Sequence, residues 1–311
     1  MEKNRYSGIV GELPGKIRLD RYIAETLKLL NRSQIKSRAL EAALNGKPVK
    51  LSRTVKAGDR LELSWLAAAP VYLAPEPIPL TLIYEDDHCA VINKPQGMVV
   101  HPGAGNHSGT LANALLWRHL HRINGGGEAA VPSENVRAGI VHRLDKDTSG
   151  VIIAAYDDDS LAMLSAQFKA RTARKLYIAL VKGTPREAAG SICTRIARNP
   201  RDRKRFTALP EQGPGKIALT RYRLLKSWGD YALLLLKPRT GRTHQLRVHL
   251  AHIGHPILGD PLYASPDKRF PAATLMLHAY SLRIVLPQHH EPSCFKAPLP
   301  ERFRTTIAAL N

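Results

Sequence analysis

The chain is 311 residues long and carries 46 Lys+Arg against 26 Asp+Glu, a formal net charge of +20; that imbalance marks a protein that meets a polyanion, nucleic acid above all. The length suits one large domain and a small one, and no apolar run approaches the ~18 residues a membrane helix needs. The opening MEKNRYSGIVGELPGK has no apolar signal core, and Cys89, Cys193 and Cys294 are too scattered for a disulfide framework or a metal site, so the expected compartment is the cytoplasm.

Residues 1–65 read as a compact module. Ile17, Leu19, Ile23, Leu27 and Leu30 recur at roughly helical spacing. A second helix is predicted from Ser33, a good N-cap, through Leu44, ending at Asn45-Gly46. Short strands are expected at 47–51 and 60–63, with a turn at Ala57-Gly58-Asp59. Arg32, Lys36, Arg38, Lys47, Lys50, Arg53 and Lys56 give the module a basic surface suited to RNA. Residues 66–80, LAAAPVYLAPEPIPL, resist helix and behave as an extended linker, so a domain boundary belongs there. In the remainder, 81–311, strands are expected at 81–84 and 90–93, and an amphipathic helix at 110–120. Residues 151–156 form an apolar run that reads as a buried strand. Ser160 is expected to cap a helix bearing Leu161, Leu164 and Phe168 on one face. Further strands are predicted at 176–181 and 231–237. Thr243 is expected to cap a helix with Leu246, Leu250 and Ile253 on one face, stopped by Gly254 and Pro256. Strands cluster in pairs instead of alternating with helices, which predicts an α+β fold.

Several familiar chemical patterns fail. The loop Gly103 to Gly109 is one residue too long for a dinucleotide fingerprint, and Gly213-Pro214-Gly215-Lys216 lacks the spacing of a phosphate loop. His244, His249, His252 and His255 run past the helix stop at Gly254, so capping and RNA contact explain them better than a metal does. The stretch His142-Arg143-Leu144-Asp145-Lys146-Asp147-Thr148-Ser149-Gly150 stands out. Asp145 is bracketed by cations, followed by a turn-forming run and then by the apolar strand. Neighbouring cations favour an ionised carboxylate, and that form attacks electrophilic carbons. A structural aspartate would cap a helix or pin a turn, which Asp147 can do. Arg195, Arg198, Arg201, Arg203, Lys204 and Arg205 form a second basic cluster, either a phosphate-gripping loop or a solvated face.

Four segments carry a resemblance. KPQGMVVHPGAGNHSGTLANALL (94–116), the 139–183 stretch opening GIVHRLDKDTSG, LKPRTGRTHQLRVHLAHIGHPILGDPLY (236–263) and LMLHAYSLRI (275–284) resemble, in order, the motifs of the RluA family of RNA pseudouridine synthases. The NGKPV and VKAGDRLEL stretches of the first module resemble an S-four-type RNA-binding domain. The two together are most similar to the RluC and RluD kind, with a tail more like RluA itself. The resemblance implies the pseudouridine synthase fold, a mainly antiparallel mixed sheet with flanking helices, preceded by a small αβ RNA-binding domain.

It further implies an isomerase that cuts the bond between uracil and ribose, turns the base and rejoins it through carbon, using no metal or organic cofactor. Asp145 would be the nucleophile, attacking either the ribose or the uracil ring. Tyr177 would stack on the base and assist proton removal, and Arg247 would be the basic partner of Asp145. Arg143 would fill the gap left by the everted uridine, with His142 and Leu144 as walls. Arg239, Arg242, His244 and Gln245 are expected at the RNA or the uracil, and Arg203 and Arg205 at the RNA backbone. The expected partner is large-subunit ribosomal RNA, with transfer RNA left open by the tail, and the expected state is a monomer. Two other classes compete. An RNA-binding assembly factor without chemistry is opposed by the intact Asp145, Tyr177 and Arg247. A glycosidase needs two carboxylates flanking the bond, and Asp147 lies too near Asp145 in sequence.

Overall fold

The computed structural model describes residues 3–13, 15–30, 34–35, 39–66, 73–103, 105–123 and 139–311. The chain divides into two compact units, Met1–Tyr72 and Leu73–Asn311, the division falling inside the proline-rich stretch. No helix among the described residues is long and apolar enough to cross a membrane.

The first unit holds β1 (Lys3–Ile9), β2 (Ile17–Arg18), a helical segment from Leu19 to Thr26, β3 (Glu41–Leu44), β4 (Lys47–Pro48), β5 (Thr54–Val55) and β6 (Arg60–Leu66). Its sheet runs β1-β6-β3-β4, with β2 and β5 paired separately. Leu19, Ile23, Leu44, Leu61, Leu63 and Trp65 share its core. Two expectations are corrected. The predicted second helix does not reach Leu44, because residues 41–44 pair with β6, Glu41 opposite Ser64 and Leu44 opposite Leu61. Asn45 and Gly46 both have positive φ, 53° and 76°, and form the tight hairpin turn that joins β3 to β4, Leu44 opposite Lys47. The alternation of Leu61, Leu63 and Trp65 on β6 then wins over the helix propensity of Glu41-Ala42-Ala43-Leu44. Strand β1, which lacks strong alternation, was not anticipated. Arg32, Lys36 and Arg38, together with Ser33, lie outside the described residues.

In the second unit, β7 (Leu82–Glu85), β8 (Cys89–Lys94), β9 (Ser149–Ala155), β10 (Arg174–Lys182), β11 (Ala189–Arg198), β12 (Phe206–Leu209), β13 (Lys216–Ser227), β14 (Tyr231–Pro238), β15 (Leu277–Val285) and β16 (Pro292–Lys296) make one sheet. Its order is β12-β11-β13-β14-β10-β15-β9-β8-β7, with β16 also on β15. Two antiparallel halves meet at a short parallel pairing of β15 with β9, His278 opposite Ser149 and Ala279 opposite Gly150. Every residue of β9 is buried. Val151, Ile153 and Ala155 pack on one face with Leu164 of the Asp158–Ala170 helix. Ile152 and Ala154 pack on the other with Leu111 and Leu115 of the Leu111–Ile123 helix. One register row crosses the centre of the sheet, from Gly150 to Ala279, Tyr177 and Leu236. The loop before β9, the start of β10 and the loop after β14 therefore converge.

Helix caps differ from expectation. The side chain of Asp157, one position before the Asp158–Ala170 helix, accepts the Ser160 N–H at 2.7 Å and its hydroxyl at 2.7 Å, so the aspartate is the cap and Ser160 lies inside the first turn. Thr243 does not cap the Gln245–His252 helix. His244 stands at its start in the left-handed conformation, φ 55°, and its side chain makes no capping bond. The Gln245 side chain instead accepts the Arg242 N–H at 3.0 Å.

Candidate active site

Asp145 sits in a turn closed by the Thr148 N–H donating to the Asp145 carbonyl at 3.1 Å. The turn is anchored from below by Lys94, the last residue of β8. Its side chain is completely buried, and Nζ donates to the carbonyls of Pro95 (2.8 Å), Met98 (2.8 Å) and Lys146 (3.0 Å). Burial lowers the Lys94 pKa to about 8 against the opposing pull of Asp147 and Asp145. Leu144 points into the core beside Ile152, and Arg143 is exposed. Asp145 is thus presented between an inward leucine and solvent, its side chain 21% exposed.

The Gln245–His252 helix brings Arg247 to this carboxylate. Its Nη1 lies 3.6 Å from Asp145 Oδ2, while Nε and Nη2 form a fork onto Asp260, 2.7 Å to each oxygen. Asp260 is fully buried and also accepts the N–H groups of Leu262 and Tyr263. Burial opposes the charge on Arg247, but hydrogen bonds and attraction from Asp260, then Asp145, more than offset it and raise its pKa. Tyr177 lies against the same turn, where β10 bulges relative to β15 between Leu176 and Tyr177. Burial first, and the charge of Asp145 second, push its pKa up, so the phenol keeps its proton.

These groups open into one cavity of about 510 Å³. Arg143, Lys169, Arg171, Arg174, Lys175, Lys237, Arg239, Arg242 and Arg247 line it, and Asp145 is the sole carboxylate among its lining residues. A single acid in so cationic a cleft suits an anionic polymer that must be held while one of its units meets that acid.

The comparisons agree with this geometry. The RNA pseudouridylate synthase family matches residues 88–252, which include the Asp145 turn, Tyr177 and Arg247. The chain is 43% identical to ribosomal large subunit pseudouridine synthase D of Borreliella burgdorferi, over 92% of this chain and 87% of that one. It is 38% identical to the protein of the same name from Xanthomonas campestris, over 94% and 89%. The chain belongs to the RluA family of RNA pseudouridine synthases. Among solved structures, human RNA pseudouridylate synthase domain containing 4 superposes with a TM-score of 0.59 at 28% identity, covering 74% of this chain and 92% of that one. Domain containing 1 gives 0.55 at 26% identity, covering 79% and 97%. The α+β sheet described above is the pseudouridine synthase fold, and the chain is an isomerase acting on uridine in RNA.

Of the other residues singled out in the sequence, His142, Arg143, Arg239, Arg242 and His244 line the same cavity as Asp145. His142 is a wall: its Nε2 accepts the Ile153 N–H at 3.1 Å and its ring stacks on Phe168 at 4.4 Å. Burial, with help from the Lys175 charge, lowers its pKa to about 3 and keeps it neutral. His244 meets the Tyr263 hydroxyl at 2.9 Å, and burial lowers its pKa too. Gln245 lines the Asp145 cavity as well, with its side chain also bonded within the protein. It is buried, and its amide meets Thr240, Arg242, Leu219 and Thr220. Arg203 and Arg205 lie in the exposed β11–β12 connection and are not among the residues lining the main cavity. Arg205 stacks over Tyr263 at 5.4 Å and helps line a smaller cavity with Asn199 and His252. Arg195 and Arg198, expected in a loop, are on β11.

Two residues of the site were missed. Asp260 could have been suspected as a lone acid inside the otherwise basic third motif. Lys94 opens the first motif, but nothing local marks it as buried.

Proposed function

We propose that this enzyme isomerises uridines of large-subunit ribosomal RNA, with Asp145 as nucleophile, Tyr177 against the base and Arg247 directing the carboxylate. The observation that carries the reading is the lone, mostly buried Asp145 carboxylate in a cationic cavity, beside an arginine that is bonded to Asp260. The relatives named for the ribosomal large subunit support the substrate.

The isomerisation needs no oxidant and no co-substrate. The N1–C1′ bond breaks, a C5–C1′ bond forms, the C5 hydrogen leaves as a proton and N1 gains one. Asp145 opens the sequence by bonding to the nucleotide, at the ribose or at the ring. That bond removes the carboxylate charge, which is one of the two causes holding the Tyr177 proton in place. Loss of that charge lowers the Tyr177 pKa, so the phenol can pass its own proton to solvent or to N1, and the phenolate so formed takes the hydrogen that C5 must lose. Arg143, exposed beside Asp145, fills the stack vacated by the everted uridine. The first unit acts as an S-four-type RNA-binding domain, its Lys47, Lys50, Arg53 and Lys56 adding phosphate contacts. The enzyme works in the cytoplasm as a monomer, which its strong positive charge favours.

The test is tritium release from RNA labelled at uridine carbon five, with large-subunit ribosomal RNA and transfer RNA offered separately. Release from the ribosomal transcript, abolished by Asp145→Asn, is the expected result. Release from transfer RNA alone overturns the substrate, and undiminished release by Asp145→Asn overturns the nucleophile.

A further inference from the structure

Lys175 lies on β10, two residues before Tyr177, and lines the same cavity. It differs from its cationic neighbours. Lys169, Arg171 and Arg174 are exposed and can be satisfied by water, whereas Lys175 is partly withdrawn from solvent. Burial lowers its pKa and no carboxylate offsets the effect. Two neutral groups lie close to the ammonium. The Phe168 ring is 5.6 Å from Nζ, and the backbone of Gly241 faces it, with Nζ 3.7 Å from where a Cβ would stand. His142, which feels the Lys175 charge, is itself uncharged and bonded to the Ile153 N–H. In the same cavity the Asp145 carboxylate faces Arg247, whereas the Lys175 ammonium faces Phe168 and Gly241.

A desolvated ammonium without an anionic partner is unfavourable in the free protein. Placed at a ligand cavity, it calls for an anion that arrives with the ligand. The only formal anion of RNA is its phosphodiester, and a compact ammonium suits a single phosphate as a point charge. We propose that Lys175 is the subsite for a phosphodiester adjoining the target nucleotide, so that Lys175 and Asp145 together set which end of the uridine enters the cavity. The carboxylate repels phosphate and the ammonium attracts it, which leaves one orientation with the nucleoside toward Asp145. This inference rests on the pseudouridine synthase reading given above and deepens it.

The experiment uses the full-length enzyme and an RNA fragment carrying the mapped target uridine. A neutral methylphosphonate replaces the linkage on either side of that uridine in turn, and Lys175→Met and Lys175→Arg are compared with the wild type. At one of the two linkages the neutral group is expected to raise the wild-type KM about ten- to a hundredfold, the worth of a charge-assisted hydrogen bond. Lys175→Met should show a similar rise on native RNA and no further rise with the neutral linkage, whereas Lys175→Arg should keep most of the affinity. A native KM in Lys175→Met, or equal harm from the neutral linkage in Lys175→Met and wild type, overturns the subsite. If Lys175→Met fails to fold, the methylphosphonate series on wild type and Lys175→Arg decides: insensitivity at both linkages overturns it. The two readings fail separately. A wild type that releases no tritium from any uridine refutes the enzyme reading, whereas an active wild type with an indifferent Lys175 refutes only the subsite.

Discussion

Arg247 stands between two carboxylates and is gripped by the one that does not line the cavity. Its fork onto Asp260 is 2.7 Å at both contacts, against 3.6 Å to Asp145. The buried Asp260 fixes the guanidinium in direction and charge, and one remaining nitrogen is left to face Asp145. Asp260 is thus a positioning residue that acts through Arg247. Asp260→Ala leaves the buried cation with only its 3.6 Å contact to Asp145, a loss of about 3 kcal/mol of stability measurable by denaturant titration. Asp260→Asn keeps the shape and loses the charge. It is expected to lower kcat up to about a hundredfold, as misplacement of a reacting group does, with a smaller change in KM. A normal kcat in Asp260→Asn would mean that Arg247 needs no second anchor.

Asp145 presents the opposite balance. It is partly exposed, and its one ion pair among the described residues is the long one to Arg247. Asp145→Asn is therefore expected to change stability by no more than about 1 kcal/mol, yet to abolish tritium release. Thermal melting beside the activity assay separates loss of chemistry from loss of fold.

Much of this site was legible in the sequence because its parts are local. The Asp145 turn announces itself by its flanking cations and the apolar strand behind it, and β9 proved buried along its whole length. The Leu111–Ile123 helix and the Tyr231–Pro238 strand likewise follow from hydrophobic spacing. What stayed hidden depends on partners distant in sequence. Lys94 is buried because the Lys146 carbonyl waits 52 residues away. Gln245 is bonded to Leu219 and Thr220 of β13, about 25 residues earlier in the chain, a tie no local pattern announces. Residues 41–44 would make a sound helix by propensity, and only pairing with β6 turns them into a strand. Strands β11 and β13 bury few of their residues, and threonines and an alanine fill several of the inward positions, which mutes the apolar alternation.

Buried histidines give the fold a defined acid sensitivity. His249 and His278 are wholly buried, and desolvation lowers each pKa from 6.5 to about 4. Each accepts or shares neutral hydrogen bonds, His249 with Thr194 and Thr220, His278 with Ser149. In the unfolded chain these rings bind protons near pH 6.5, whereas in the folded protein they do so only near 4. Their contribution is therefore fully present above pH 6.5 and is lost as pH falls through about 4. By pH 5 each accounts for a loss of about 2 kcal/mol. Most carboxylates titrate lower, so urea midpoints between pH 7 and 5 read the histidines. Replacing His249 with Gln should flatten that dependence, and an unchanged slope would assign the acid sensitivity elsewhere.

The last expectation concerns the seam of the sheet. Gly150 has φ +114°, a region that side chains rarely adopt, and a Cβ there would stand 2.2 Å from the Ala279 carbonyl oxygen. At this point β9 meets β15 in parallel, and Gly150 is the residue opposite Ala279 in that two-residue stitch. The obstruction is backbone, which cannot swing aside as the end of a side chain can. Gly150→Ala must push the strands apart or distort the turn that carries Asp145, and either route costs more than about 3 kcal/mol. The variant is expected to accumulate poorly or to melt well below the wild type. Any folded fraction should lose activity out of proportion to its lost stability, because the Asp145 turn is joined directly to the seam. A Gly150→Ala protein with wild-type melting temperature and activity would show that the parallel stitch is dispensable, and the register row from Gly150 to Leu236 would then have no part in placing Asp145 against Tyr177.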